Sequence, residues 1–137
     1  MSAMTNFFES GIINQVLRGI SFTLPSTGVY IGLTSNSPSE GSPEANELSG
    51  NGYSRVHVPT GNWTAPAADG NGQKSENNTA IDFPTATNDW GYASGVIIAD
   101  ALSGGNVFIK GDLTTPRNVL SGDTFRFNTN DLDIKFD

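Results

Sequence analysis

No cysteine occurs among the 137 residues. That absence excludes disulfides, thiolate zinc sites and a cysteine nucleophile, and it fits a reducing compartment. Cations are scarce as well. Seven Lys and Arg stand against fourteen Asp and Glu, giving a net charge of −7. The seven stand singly, at Arg18, Arg55, Lys74, Lys110, Arg117, Arg126 and Lys135, so no basic patch forms from neighbours in sequence. Neither a nucleic-acid partner nor an acidic membrane surface is expected. Long apolar runs are missing too: none reaches membrane-spanning length. The opening MSAMTNFFES has no basic segment of the signal-peptide kind. Charged residues make up only 15%, below the usual quarter, so the surface must be built largely from Ser, Thr, Asn and Gly.

Groups that do chemistry are few. His57 is the single histidine, and its place in an alternating strand reads as a solvated side chain rather than a general base. Asn128, Asn130, Asp131 and Asp133 offer the hard oxygen ligands that calcium takes, but the acidic members share one face of a strand whose other face is apolar, as on an ordinary wet strand. The turn glycines match no phosphate or dinucleotide fingerprint. We expect no catalytic residue, no metal and no cofactor. Four aromatics, Trp63, Trp90, Tyr53 and Tyr92, are able to stack on sugars. Trp90, just before an apolar strand, reads as packing; Trp63, Tyr53 and Tyr92 remain candidates for ligand stacking. Asn62-Trp63-Thr64 and Asn77-Asn78-Thr79 fit the glycosylation pattern by chance.

What is present is β-sheet language. Residues 81–113 hold the densest apolar run, GVIIADA, whose Val96, Ile97 and Ile98 suit a buried strand. Ser103-Gly104-Gly105-Asn106 supplies residues that tolerate φ > 0 for a reversal, and Val107-Phe108-Ile109 starts the return. This hairpin should centre an antiparallel sheet. Further strands are expected at Val29–Leu33, Tyr53–Pro59 (Val56 and Val58 on one face, Arg55 and His57 on the other), Ile81–Phe83, Phe125–Phe127 and Leu132–Phe136. Pro116 confines its stretch to an edge or a bulge. Residues 35–51 and 60–79 read as long polar loops, of the length that is often functional.

One helix is expected near residues 6–18, with Asn6 and Glu9 as a capping box and Gly19 as its stop. Phe8, Ile12, Ile13, Val16, Leu17 and Ile20 form one apolar stripe. Its plain destination is one end or face of the sheet; the alternative is a neighbouring subunit, and Phe7, off the stripe, hints at a second contact. The expected architecture is a single β domain over residues 1–137: a mainly β, antiparallel sandwich or barrel of about seven to eight strands, with one N-terminal amphipathic helix.

Several blocks then fall into one order. They are Tyr30-Ile31-Gly32-Leu33 after the helix; Gly52-Tyr53-Ser54-Arg55-Val56; Phe83-Pro84-Thr85-Ala86-Thr87-Asn88-Asp89-Trp90-Gly91; Asp100-Ala101 with Gly104-Gly105-Asn106; Gly111-Asp112-Leu113-Thr114-Thr115; Ser121-Gly122-Asp123-Thr124-Phe125; and Asp131-Leu132-Asp133-Ile134. Together they resemble a family of small structural proteins of tailed bacteriophages, often labelled tail-fibre proteins. The block from Phe83 to Gly91 is the most specific, and residues 71–78 match least. The resemblance implies assembly into a virion after synthesis in the bacterial cytoplasm, with other virion proteins as partners, a homo-oligomer, and no transferable catalytic residue. The expected role is a non-enzymatic virion subunit, either capsid decoration or part of the neck or tail. The alternative is a fibre-tip or lectin-like module for host glycan. Candidate subunit contacts are Phe7, Glu40, Glu44, Glu47 and Trp63.

Overall fold

The apolar run forms the strand on which the rest is built. In the computed structural model, which describes residues 2–137, strand β7 (Gly91–Ala99) is the middle of five. The sheet runs β1 (Ser2–Met4), β8 (Val107–Val119), β7, β2 (Gly28–Thr34) and β3 (Val56–Pro59), every pairing antiparallel. Residues 95–99 are all buried, which is why this strand reads as a continuous apolar run and not as an alternation.

One face of the sheet carries Ile31, Leu33, Val96 and Ile98; Ile81, Phe83, Phe125, Phe127 and Leu132 complete that core. The first four of these come from β6 (Ile81–Asp82), β9 (Arg126–Phe127) and their flanks, β6 and β9 pairing in a two-stranded sheet, and Leu132 directly precedes the last strand. On the other face Gly95 admits the ring of Pro38: a Cβ there would lie 2.5 Å from Pro38 Cδ. Pro38 thus lies over this face, while the end of the 35–51 segment runs along the edge of β2, where Thr34 bridges Glu47 and Leu48 N–H donates to Leu33 O (2.9 Å), and Leu48 joins the core of the first face.

The mainly β, antiparallel fold with one N-terminal α-helix matches the expectation, but among the described residues ten strands form, in sheets of five, three and two, with no closed barrel. Of the strands not expected, β1 precedes the helix and the other two come from the second expected loop. Residues 60–79 hold a 3-10 turn (Thr60–Asn62) and a hairpin of β4 (Ala67–Asp69) and β5 (Gly72–Glu76), turned at Gly70 with φ +60°. Strand β10 (Asp133–Phe136) pairs along β5, with Ile134 opposite Ser75. Pro116 sits in a bulge: between Ala93↔Arg117 and Gly95↔Asp112, β8 carries three more residues than β7, which leaves a stretch that needs no ladder N–H.

Helix α1 spans Asn6–Leu17, and its cap is Thr5 rather than Asn6. The Thr5 hydroxyl oxygen accepts from Phe8 N–H (3.3 Å) while donating to Val107 O (2.6 Å), so one buried side chain ties the helix start to β8. The C-terminal stop falls as expected, with Gly19 at φ +66°.

Candidate subunit-contact surfaces

Helix α1 sits on the sheet by an aromatic seat. Phe7 and Phe8 flank Phe108 at centroid distances of 5.5 and 5.4 Å, and Phe22 closes over them, 5.4 Å from Phe7. Gly11 makes room for that closure, since a Cβ there would lie 2.4 Å from the Phe22 ring. Gln15 Oε1 accepts from Phe22 N–H at 2.8 Å. The side of the helix that meets Phe22 is therefore the i, i+4 row Phe7, Gly11 and Gln15, with Phe8 beside it.

This corrects the expectation that the apolar stripe covers the sheet. Of its members only Phe8 faces inward. Ile12, Ile13, Val16 and Leu17 point outward, with Val16 and Leu17 72% and 76% exposed. Ile20 and Leu24, in the segment that returns from the helix, are exposed as well. The seat is taken instead by rings: Phe7, Phe8 and Phe22 meet Phe108 at 5.5, 5.4 and 5.9 Å, contacts that aromatic pairs favour. Phe7, the residue off the stripe, is half in the seat and 42% exposed.

The acidic loop divides. Glu40 is exposed, and its backbone carbonyl accepts from Asn6 N–H at 3.2 Å, tethering the loop to the helix start. Glu44 is exposed next to buried Pro43. Glu47 turns inward. Its two carboxylate oxygens take Arg55 Nε (2.8 Å) and Nη2 (2.7 Å), and Oε2 also accepts from the Tyr53 hydroxyl at 2.7 Å. Arg55 is buried at 5% exposure and does not share the outward face of His57, as its alternation had suggested; it precedes β3 and reaches across the sheet. Its Nη1 donates to Ala101 O (2.8 Å) and Gly104 O (2.9 Å) in the turn between β7 and β8. Burial, and then the bond it donates to Glu47, push the Tyr53 hydroxyl well above its ordinary pKa of 10.0.

The stacking candidates lie on three different elements. The Tyr53 ring packs parallel to Phe83 (6.4 Å) and edge-on to Trp90 (5.4 Å), so the core takes the ring offered to a ligand. Trp63 follows the 3-10 turn, bridges to Asn77 and packs against the core. Tyr92 on β7 is 59% exposed. A hollow of about 380 Å³ opens over Glu47, Tyr53, Arg55 and Leu102, where the first three already bond one another. A cleft of about 130 Å³ beside Ile98, Ile109 and Leu132 is below the 300 Å³ at which small-molecule sites begin. Among the described residues no three His, Cys, Asp or Glu gather as metal ligands. Asp131 Oδ2 instead accepts from Asn128 N–H (3.1 Å) in a turn whose Asn130 has φ +67°.

Two features escaped the sequence reading. The Glu47–Arg55–Tyr53 cluster had no periodic signal, only a buried cation to be found. Asn77 lies fully buried where a chance glycosylation pattern was read. Its Nδ2 donates to Thr79 O (2.9 Å) and Asn128 O (3.0 Å), and its Oδ1 accepts from Leu132 N–H (2.9 Å).

Comparison with known protein families places this chain among the fibre-type structural proteins of bacteriophages. The family model that matches is described as Podophage GP4 fiber I protein gp80; it covers residues 3–135, nearly the whole chain, and the chain belongs to that family. No curated protein matches it.

Proposed function

We propose that this chain is a non-enzymatic component of a phage fibre or tail assembly, made in the host cytoplasm and working through contacts between subunits. The observation that carries the proposal is the outward apolar face of α1. Exposed aliphatic side chains on consecutive turns are costly in water and become favourable only against another protein surface. Exposed Glu40, Glu44 and Phe7 border the helix start and would form the rim of such a contact, whereas Glu47 holds the fold together. Contacts that each bury about 1,000 Å² or more gain strength by repetition in a symmetric particle.

The test is copy number. Quantitative mass spectrometry of purified particles gives this protein relative to the major capsid subunit. A fibre or tail component stands at a few per cent or less. A ratio near one, or a simple fraction of it, overturns the fibre placement in favour of a shell-decorating protein, and absence from particles overturns the virion role altogether.

A further inference from the structure

We propose that the outer face of α1 pairs with the same face of a second copy of this chain, helix against helix and antiparallel about a twofold axis. This rests on the reading that the protein works through subunit contacts, and it names the surface and the occupant. Ile12, Ile13, Val16, Leu17, Ile20 and Leu24 are between 36% and 76% exposed. Together they leave on the order of 600 Å² of apolar surface in water, at the upper limit of the largest patch on an ordinary monomer and close to the ~800 Å² that each partner of a standard interface buries.

Three features favour a second copy as the occupant. First, the face is a convex ridge. Ile12–Val16 and Ile13–Leu17 are two i, i+4 rows, the ridges that interdigitate when one helix packs on another. Second, the apolar quartet is symmetric about its own midpoint. In an antiparallel pair centred between Asn14 and Gln15, Ile12 faces Leu17 of the other copy and Ile13 faces Val16, which is the reciprocity a twofold interface requires. Third, charge sets the direction. Glu9, the acid of the first turn, lies on this same face. Antiparallel pairing holds the two copies' Glu9 about 16 Å apart along the axis, at 1.5 Å rise per residue, whereas parallel pairing would set Glu9 beside Glu9.

The full 137-residue chain answers this by sedimentation equilibrium. Wild type is expected to be a dimer at about 10 μM, and Val16→Glu with Leu17→Glu to weaken association by about 100-fold or more, since pairing would then bury carboxylates. Both positions are exposed, so far-UV circular dichroism should hold, and the melting temperature should fall only by the concentration-dependent part that pairing contributes. The absence of native cysteine allows a second reading: an oxidised mixture of Ile13→Cys and Val16→Cys proteins should give the mixed disulfide in preference to either homodimer. A wild-type chain that stays monomeric at several hundred micromolar overturns the proposal, as does a trimer or a preference for homodisulfides. A monomeric chain whose Val16→Glu variant is lost from particles gives the face to a different virion protein, overturning the pairing while leaving the subunit-contact reading intact. The copy number in particles tests that broader reading separately.

Discussion

Arg55 shows how one side chain can join three distant segments. Its guanidinium engages Glu47 in the long loop and two carbonyls of the β7–β8 turn, from the start of β3. Truncating one member of a buried pair leaves the other charge without compensation. Arg55→Ala should therefore lose about 3–5 kcal/mol of stability, read as the shift in urea midpoint at unchanged slope. Arg55→Lys keeps the charge but not the fork and should restore only part of the loss; full recovery would mean that the fork contributes little. Tyr53 gives a second prediction. Its folded pKa is raised, so the unfolded chain releases the phenolic proton at a pH where the folded one still holds it, and stability falls as pH rises above about 10. Tyr53→Phe should flatten that fall. At pH 11 it should show the same phenolate absorbance as wild type while folded, and one phenolate fewer once both are unfolded in urea.

At the scale of elements, Gly11 is where local propensity and packing oppose each other. Alanine in mid-helix gains up to about 1 kcal/mol over glycine, yet here its Cβ would meet the Phe22 ring at 2.4 Å. We expect Gly11→Ala to destabilise by about 1–3 kcal/mol, measured by thermal unfolding; a stabilised variant would show that Phe22 can leave the seat freely. The central hairpin and the helix were legible in the sequence because β-branched runs, turn glycines and 3.6-residue spacing are local signals. The side on which α1 is buried was not legible. It depends on Phe22 and Phe108, 14 and 100 residues from Phe8, and a spacing rule finds a stripe without knowing which side is seated. The β4–β5 hairpin was hidden for a different reason. Asp69-Gly70 is a good turn signal, but Ala67, Ala68, Gln73 and Lys74 have little strand preference of their own; pairing with β10 holds β5 extended, and β4 pairs in turn on β5. Arg55 read as a surface residue because alternation assigns faces only within a strand, and it lies one residue before one.

For the whole molecule, the sheet order predicts a gradient of local stability. Strands β2 and β7 lie inside the five-stranded sheet, and Ile31, Leu33 and Ile97 are fully buried. Their amides should open only with global unfolding. Strands β4 and β5, in a small sheet of mostly exposed or half-buried residues, should exchange by local opening several orders of magnitude sooner. Hydrogen exchange followed by mass spectrometry on the isolated chain checks this, and equal protection of both regions would count against it.

The buried Asn77 decides where this protein can be manufactured. Asn77-Asn78-Thr79 is a legitimate acceptor for oligosaccharyltransferase, an enzyme that acts on nascent chains before they fold. The nitrogen it would modify is the one that, in the finished fold, spends both hydrogens on the carbonyls of Thr79 and Asn128. A carbohydrate attached there would occupy space filled by the polypeptide itself. Secretion through yeast or mammalian cells should therefore give material that is retained or aggregated, while a bacterial host, lacking that enzyme, makes the same residue a silent part of the interior.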